Sequence, residues 1–242
     1  MVDKMKKEES QRRLFFKGDK EDQVAESFRL LRTNIHFMDE KTNRVVIVTS
    51  TIPKEGKSSV ASNYAMSEAI AGKKVLIVDC DIRRPRAHTS FGIQVTKGLA
   101  DVLAGNAKIE DVILKDVENN LDLLPAKHFQ GNVTEMFLSK NLSKQLDTLR
   151  ALYDLIILDT APLTVATDAV LLAEHGDGVI YVVGYDMVTK KELEHAKKLL
   201  HRAKANLYGV VMNKVDKTGY SYGNYGYYNY NYRYYNDYIT EE

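Results

Sequence analysis

From residue 21 to residue 38, apolar side chains recur at helical spacing (Val24, Phe28, Leu31, Ile35), which predicts an amphipathic helix. The pattern then changes. RVVIVTS (44–50), KVLIVDCD (74–81), LDLLPA (121–126), LIILDTA (155–161), GVIYVVG (178–184) and LYGVVMN (207–213) are short apolar runs rich in branched residues. Runs of this length and continuity predict strands buried on both faces. Helical patterns lie between them: 57–71, stopped by Gly72; short pieces at 99–103 and 109–114; a long helix over 134–152; then 168–174 and 190–204. Strands alternating with helices require right-handed crossovers. The expected fold is therefore α/β, a mostly parallel sheet with helices on both faces. No internal repeat is visible.

The two ends break the pattern. Residues 1–20 are polar and are expected to be flexible, 21–216 to form the folded domain, and 217–242 to be a disordered tail. Ten of the fifteen tyrosines stand in that tail: Tyr220, Tyr222, Tyr225, Tyr227, Tyr228, Tyr230, Tyr232, Tyr234, Tyr235 and Tyr238. With almost no aliphatic residues, the tail cannot build a core of its own. It reads either as a sticky low-complexity segment or as a bank of phosphoryl-accepting hydroxyls.

Composition narrows the setting. Over 242 residues, 44% hydrophobic and 28% charged residues are ordinary for a soluble protein. A net charge of +1 gives no field that calls for a nucleic acid. The single cysteine, Cys80, excludes an internal disulfide and fits a reducing compartment. The basic N-terminus is followed by no apolar segment, and no run approaches the roughly 18 apolar residues that cross a bilayer. A cytoplasmic protein is expected, with any membrane role exerted through a partner.

The chemistry gathers after three strands. Thr51-Ile52-Pro53-Lys54-Glu55-Gly56-Lys57-Ser58, followed by Ser59, matches the phosphate-binding pattern G-x-x-x-x-G-K-[ST], except that Thr51 replaces the first glycine. It lies between a strand and a helix, as such a loop must. Its backbone amides would cradle phosphates, Lys57 would reach the β and γ phosphates, and the Ser58 hydroxyl would ligate Mg²⁺. Asp79 and Asp81 end one strand and Asp159 another. In open α/β sheets ligands bind beyond the carboxyl ends of strands. Asp159 reads as a Walker B metal carboxylate, with Asp79 a further metal-positioning group. Either Asp79 or Asp81 would be the base; the alternative is that these acids only cap turns. Arg83, Arg84 and Arg86 either stabilise phosphate charge or are solvated loop residues. Asn213-Lys-Val-Asp216 spells the N-K-x-D of guanine readers, but Asp159-Thr-Ala-Pro162 lacks the glycine of a GTPase switch. Asn213 is therefore read as a hydrogen-bonder to a base edge, with ATP against GTP left open by this string.

Together TSTIPKEGKSS, VLIVDCDIRRP, LIILDTAP and the terminal tyrosine cluster resemble the bacterial tyrosine kinases of capsule and exopolysaccharide synthesis, of the separate cytoplasmic type found in Gram-positive bacteria. Glu26-x-x-Arg29-x-x-Arg32 matches that family's E-x-x-R-x-x-R motif, which joins subunits into a ring; read alone, the triplet is a solvated helix face. Two departures stand out. Asn132-Val-Thr-Glu135 lacks the family's proline, and Ile52 occupies the place of the signature lysine of septum-placing and partition ATPases. The resemblance implies a P-loop NTPase of the Walker A/A′/B type shared with those ATPases. It implies ATP and Mg²⁺, and phosphorylation of the tail tyrosines in trans, with control of polysaccharide synthesis and chain length. It also implies a homo-oligomeric ring, a membrane adaptor with an activating cytoplasmic tail that recruits the kinase to the inner face of the membrane, and a cognate phosphotyrosine phosphatase. The competing readings are a P-loop ATPase that localises or assembles partners, with the tail as a binding module, and a nucleotide-binding scaffold.

Overall fold

A computed structural model of the chain describes residues 14–17, 23–38 and 45–215. Seven strands form one sheet: β1 (Val45–Ser50), β2 (Val75–Asp79), β3 (Leu114–Glu118), β4 (Leu121–Leu124), β5 (Leu155–Asp159), β6 (Gly178–Gly184) and β7 (Leu207–Asn213). Their order is β3-β4-β2-β5-β1-β6-β7, and only the β3–β4 pair is antiparallel. The helices are α1 (Gln23–Met38), α2 (Lys57–Ile70), α3 (Leu99–Leu103), α4 (Val133–Phe137), α5 (Lys140–Arg150), α6 (Asp168–Leu172) and α7 (Lys190–Arg202).

Alternation along the central strands divides the core into two layers. Val46, Val48, Ile77 and Ile157 point to the side covered by α1 and α2, among Phe28, Ile35, Tyr64 and Ala65. Val45, Ile47, Leu76 and Leu158 point to the other side, among Phe137, Leu146, Leu149, Ala169 and Leu200. With both faces covered, the central strands must be apolar throughout, which is why periodicity two is absent from their sequences. The sheet also brings three carboxyl-terminal ends together. Val48 is in register with Asp159, and Asp79 with Asp159. The loop after β1 and the acids after β2 and β5 thus converge on one edge.

The mostly parallel α/β expectation holds, and two local readings are corrected. The long helix over 134–152 is two helices. Ser139 sits in extended backbone (φ −72, ψ 144) and its Oγ donates to Met136 O at 2.7 Å. A serine that bonds its own backbone competes with helix propagation, and the apolar period runs through the break unaltered. The helical piece over 109–114 is a single 3₁₀ turn, Ile109–Asp111. Leu114 instead opens β3, an edge strand turned back onto β4 through Asn120 at φ +60. Its charged sequence, LKDVE, hides it, because an edge strand with exposed side chains carries no apolar run. The expected tail over 217–242, its ten tyrosines and the expected N-terminal segment lie outside the described residues, apart from 14–17.

Candidate active site

The loop after β1 is held from inside. Glu55 is fully buried, and its carboxylate accepts from Ile52 N (2.7 Å) and from Gly184 N at the end of β6 (3.0 Å). The Thr51 hydroxyl meets the Tyr181 hydroxyl of β6. Asn213 Nδ2 donates to Glu55 O at 2.8 Å. Gly56 follows at φ +100, and a Cβ there would lie 2.0 Å from Asn213 Nδ2, so both conformation and space demand glycine. Pro53 and Lys54 form the exposed crest. Glu55 therefore anchors the loop through its buried carboxylate as well as through its backbone carbonyl. Asn213 braces the same loop with its amide donor.

α2 begins at Lys57 with no side-chain cap, so its first amides point into the site. Lys57 Nζ lies 3.0 Å from Asp81 Oδ2, 3.3 Å from Asp159 Oδ1 and 3.2 Å from Ser58 Oγ. Burial depresses the Lys57 pKa, but Asp159, Asp81 and Asp79 outweigh it and hold the ammonium above its ordinary value. Ser58 and Asp159 are buried, and Asp159 Oδ2 has no hydrogen-bond partner among the described residues. Ser59 is half-buried one residue further into α2.

The two aspartates after β2 have different partners. Asp79 Oδ1 accepts from Asp81 N (3.1 Å), and its Oδ2 accepts from Arg86 N (3.0 Å) and Ala87 N (2.9 Å). Burial pushes its pKa up to about 7, with Asp159 adding to the rise and the Ala87 N–H opposing it. Asp81 spends only Oδ1 on the backbone, at Arg84 N (3.1 Å), and turns Oδ2 to Lys57. Of the arginines, Arg83 pairs with Asp168 Oδ2 at 3.4 Å, while Arg84 and Arg86 are exposed. Burial raises the Asp168 carboxyl, against the pull of Arg83.

The donor set fits a magnesium–nucleotide complex. No group of three or more acidic, histidine or cysteine side chains that could hold a metal by itself occurs among the described residues. Mg²⁺ in phosphoryl-transfer sites takes one or two protein oxygens and completes its shell with phosphate and water. The Ser58 hydroxyl and the Asp159 oxygen without a hydrogen-bond partner among the described residues could supply such a pair. Sequence reasoning missed Tyr181, Gly184 and Asp168, which act at this edge through contacts across the fold; no local pattern marks them.

Away from the site, Arg29 pairs with Glu26 at 2.7 Å on the exposed face of α1. Arg32 instead donates to Ser67 O on α2 at 2.5 Å. Asn132 caps α4 by accepting from Glu135 N at 3.3 Å, so this turn forms without a proline. No helix among the described residues is long and apolar enough to cross a membrane.

The chain is similar to known proteins in sequence and in fold. The AAA domain family matches residues 43–208. The tyrosine-protein kinase YwqD of Bacillus subtilis is 35% identical over 203 residues, covering 83% of this chain and 86% of YwqD. EpsB of Ralstonia nicotianae is 38% identical over 204 residues, covering 84% of this chain but only 27% of EpsB, so the chain spans about a quarter of that relative's length. The solved kinase domain of the Escherichia coli tyrosine kinase ETK superposes with a TM-score of 0.75 at 30% identity, covering 82% of this chain and 80% of that one.

Proposed function

The chain belongs to the bacterial tyrosine-protein kinases, and we propose that it transfers the γ-phosphoryl group of ATP to the tyrosines of its own C-terminal cluster. The observation that carries this reading is Lys57, held within 3.3 Å of Asp81, Asp159 and Ser58 at the open N-terminus of α2. Phosphoryl transfer asks a protein mainly to position reactants and neutralise charge. Lys57 neutralises the acids around it; with nucleotide it would turn to the β and γ phosphates. Mg²⁺, held by Ser58 and Asp159, would offset the remaining phosphate charge.

The acceptor needs help, because a phenol of pKa about 10 is almost wholly protonated at neutral pH. Asp81 is the better placed base. Asp79 has both oxygens committed to backbone amides and acts by positioning the 79–87 turn. As the phenolic oxygen bonds to the γ-phosphorus, the bond to the departing ADP oxygen breaks and the phenolic proton passes to Asp81. Asp81→Asn is expected to lower tail phosphorylation by about 10²- to 10⁴-fold without loss of nucleotide binding. Undiminished phosphotyrosine in that variant would contradict the assignment.

The wider role follows the family. The tails would be modified in trans within a ring, with Glu26 and Arg29 on the side of α1 that meets a neighbour and Arg32 tying α1 to α2 behind them. A membrane adaptor would recruit and activate the kinase, a phosphatase would reset it, and the output would be capsular or exopolysaccharide synthesis and chain length. A localising ATPase would instead hydrolyse ATP steadily and leave the tail unmodified.

A further inference from the structure

The arginines after β2 divide by their partners. Arg83 is taken, its Nε pairing with the buried Asp168 at 3.4 Å. Arg84 and Arg86 are exposed, and their guanidiniums make no ion pair among the described residues. Their backbones nonetheless sit at the catalytic carboxylates. Arg84 N donates to Asp81 Oδ1 at 3.1 Å, and Arg86 N to Asp79 Oδ2 at 3.0 Å. Both side chains therefore leave the very turn that carries the base.

A second loop adds to the charge. β4 runs parallel to β2 and beside it, so its carboxyl end lies on the same edge of the sheet. Lys127 and His128 follow that end, and both are exposed. His128 Nδ1 meets Arg83 O at 3.2 Å, which ties this loop to the arginine turn. The acids of the turn and its neighbours are already engaged: Asp81 with Lys57, Asp79 with backbone amides, Asp101 with Gly98 N and Asp168 with Arg83. Arg84, Arg86 and Lys127 remain as cations that nothing described neutralises. An acceptor tyrosine with its hydroxyl at Asp81 would lay its flanking residues beside them. In an extended segment, side chains two positions apart share a face at a spacing of about 6.6 Å.

We propose that Arg84, Arg86 and Lys127 bind a phosphotyrosine two residues from the acceptor, so that a segment phosphorylated once is the preferred substrate for the next transfer. The inference deepens the kinase reading and rests on it for the transfer, but not for the binding. Phosphotyrosine carries about −1.5 to −2 charges and three acceptor oxygens. Guanidiniums meet such a group with charge-assisted, bidentate hydrogen bonds. The sequence of the terminal cluster offers the spacing, since Tyr228, Tyr230, Tyr232 and Tyr234 stand at alternate positions. No acid occurs from Tyr220 to Tyr235, so a phosphate made there is the first anion beside an acceptor.

Peptide binding to the full chain with Mg·ADP present tests the subsite, because an occupied nucleotide site cannot host the phosphate. The probe is GYYNYNY, the sequence of residues 226–232, either unmodified, phosphorylated at Tyr230, or carrying Tyr230→Glu. The wild-type chain is expected to bind the phosphorylated peptide at least about 10-fold more tightly than the unmodified one, as charge-assisted hydrogen bonds would give. In the Arg84→Ala/Arg86→Ala protein this ratio should fall below about 2-fold, whereas Arg84→Lys/Arg86→Lys, which keeps the charge without the fork, should retain part of it. Equal binding of the two peptides by the wild type, or an undiminished ratio in the double alanine protein, would overturn the proposal. A Glu peptide bound as tightly as the phosphopeptide would overturn it in favour of acid-flanked tyrosines on other proteins. Transfer is read separately, in Mg·ATP with an adaptor's cytoplasmic tail present. Tight binding of the phosphopeptide with no phosphate passed to any peptide would contradict the kinase reading and leave the binding site standing.

Discussion

Gly56 shows how one residue is fixed twice. Its φ of +100 is costly for any L side chain, and a Cβ would strike Asn213 Nδ2 at 2.0 Å. Gly56→Ala is therefore expected to lose about 1–3 kcal/mol of stability by denaturant unfolding, together with most nucleotide affinity. Asp79 makes a pH prediction. Its folded pKa lies near 7, above the ordinary 3.8, so the folded state holds the proton more tightly than the unfolded one. Its contribution is fully present below about pH 4 and is lost as pH rises through about 7. In the nucleotide-free protein, Asp79→Asn should therefore flatten the fall in melting temperature between pH 5 and pH 8; a slope identical to wild type would contradict the burial argument. Lys57, Ser58 and Asp159 are legible in sequence because a loop motif and two strand ends announce them. The inward turn of Glu55 is not, because its partner Gly184 is 129 positions away. The division of labour between Asp79 and Asp81 is also invisible until their hydrogen bonds are seen.

Among elements, the buried parallel strands declare themselves, since covering both faces forces apolar runs. The elements that failed to do so are those where one residue overrides the pattern. Ser139 interrupts a continuous helical period, and β3 presents charged side chains at the edge of the sheet. α1 carries a further distinction that its sequence motif conceals. Arg32 is spent on the Ser67 carbonyl of α2, whereas Arg29 is 46% exposed, pairs with Glu26 and lies over the Phe16 ring. Arg32→Ala should cost about 1.5–3 kcal/mol of unfolding free energy, the value of a charged hydrogen bond. Arg29→Ala should change it by less than about 1 kcal/mol, as exposed ion pairs do, while weakening self-association in sedimentation. Equal stability losses would show that both arginines act within the subunit.

At the scale of the whole molecule, charge is the governing quantity. The chain starts at +1, and ten phosphotyrosines would add roughly −15 to −20. Tails gathered around a ring would then repel, so light scattering should record a fall in mass after treatment with Mg·ATP. An unchanged mass with heavily modified tails would contradict the switch. The central claim, that this site phosphorylates this tail, is tested most directly by intact and peptide mass spectrometry of the protein after Mg·ATP. Wild type and Lys57→Met would be compared with and without an adaptor's cytoplasmic tail, using protein from a host without tyrosine kinases. The account predicts phosphate on the cluster from Tyr220 to Tyr238 in wild type alone. Steady ATP hydrolysis with no phosphotyrosine, even with an active adaptor, would contradict it and place the chain with the localising ATPases.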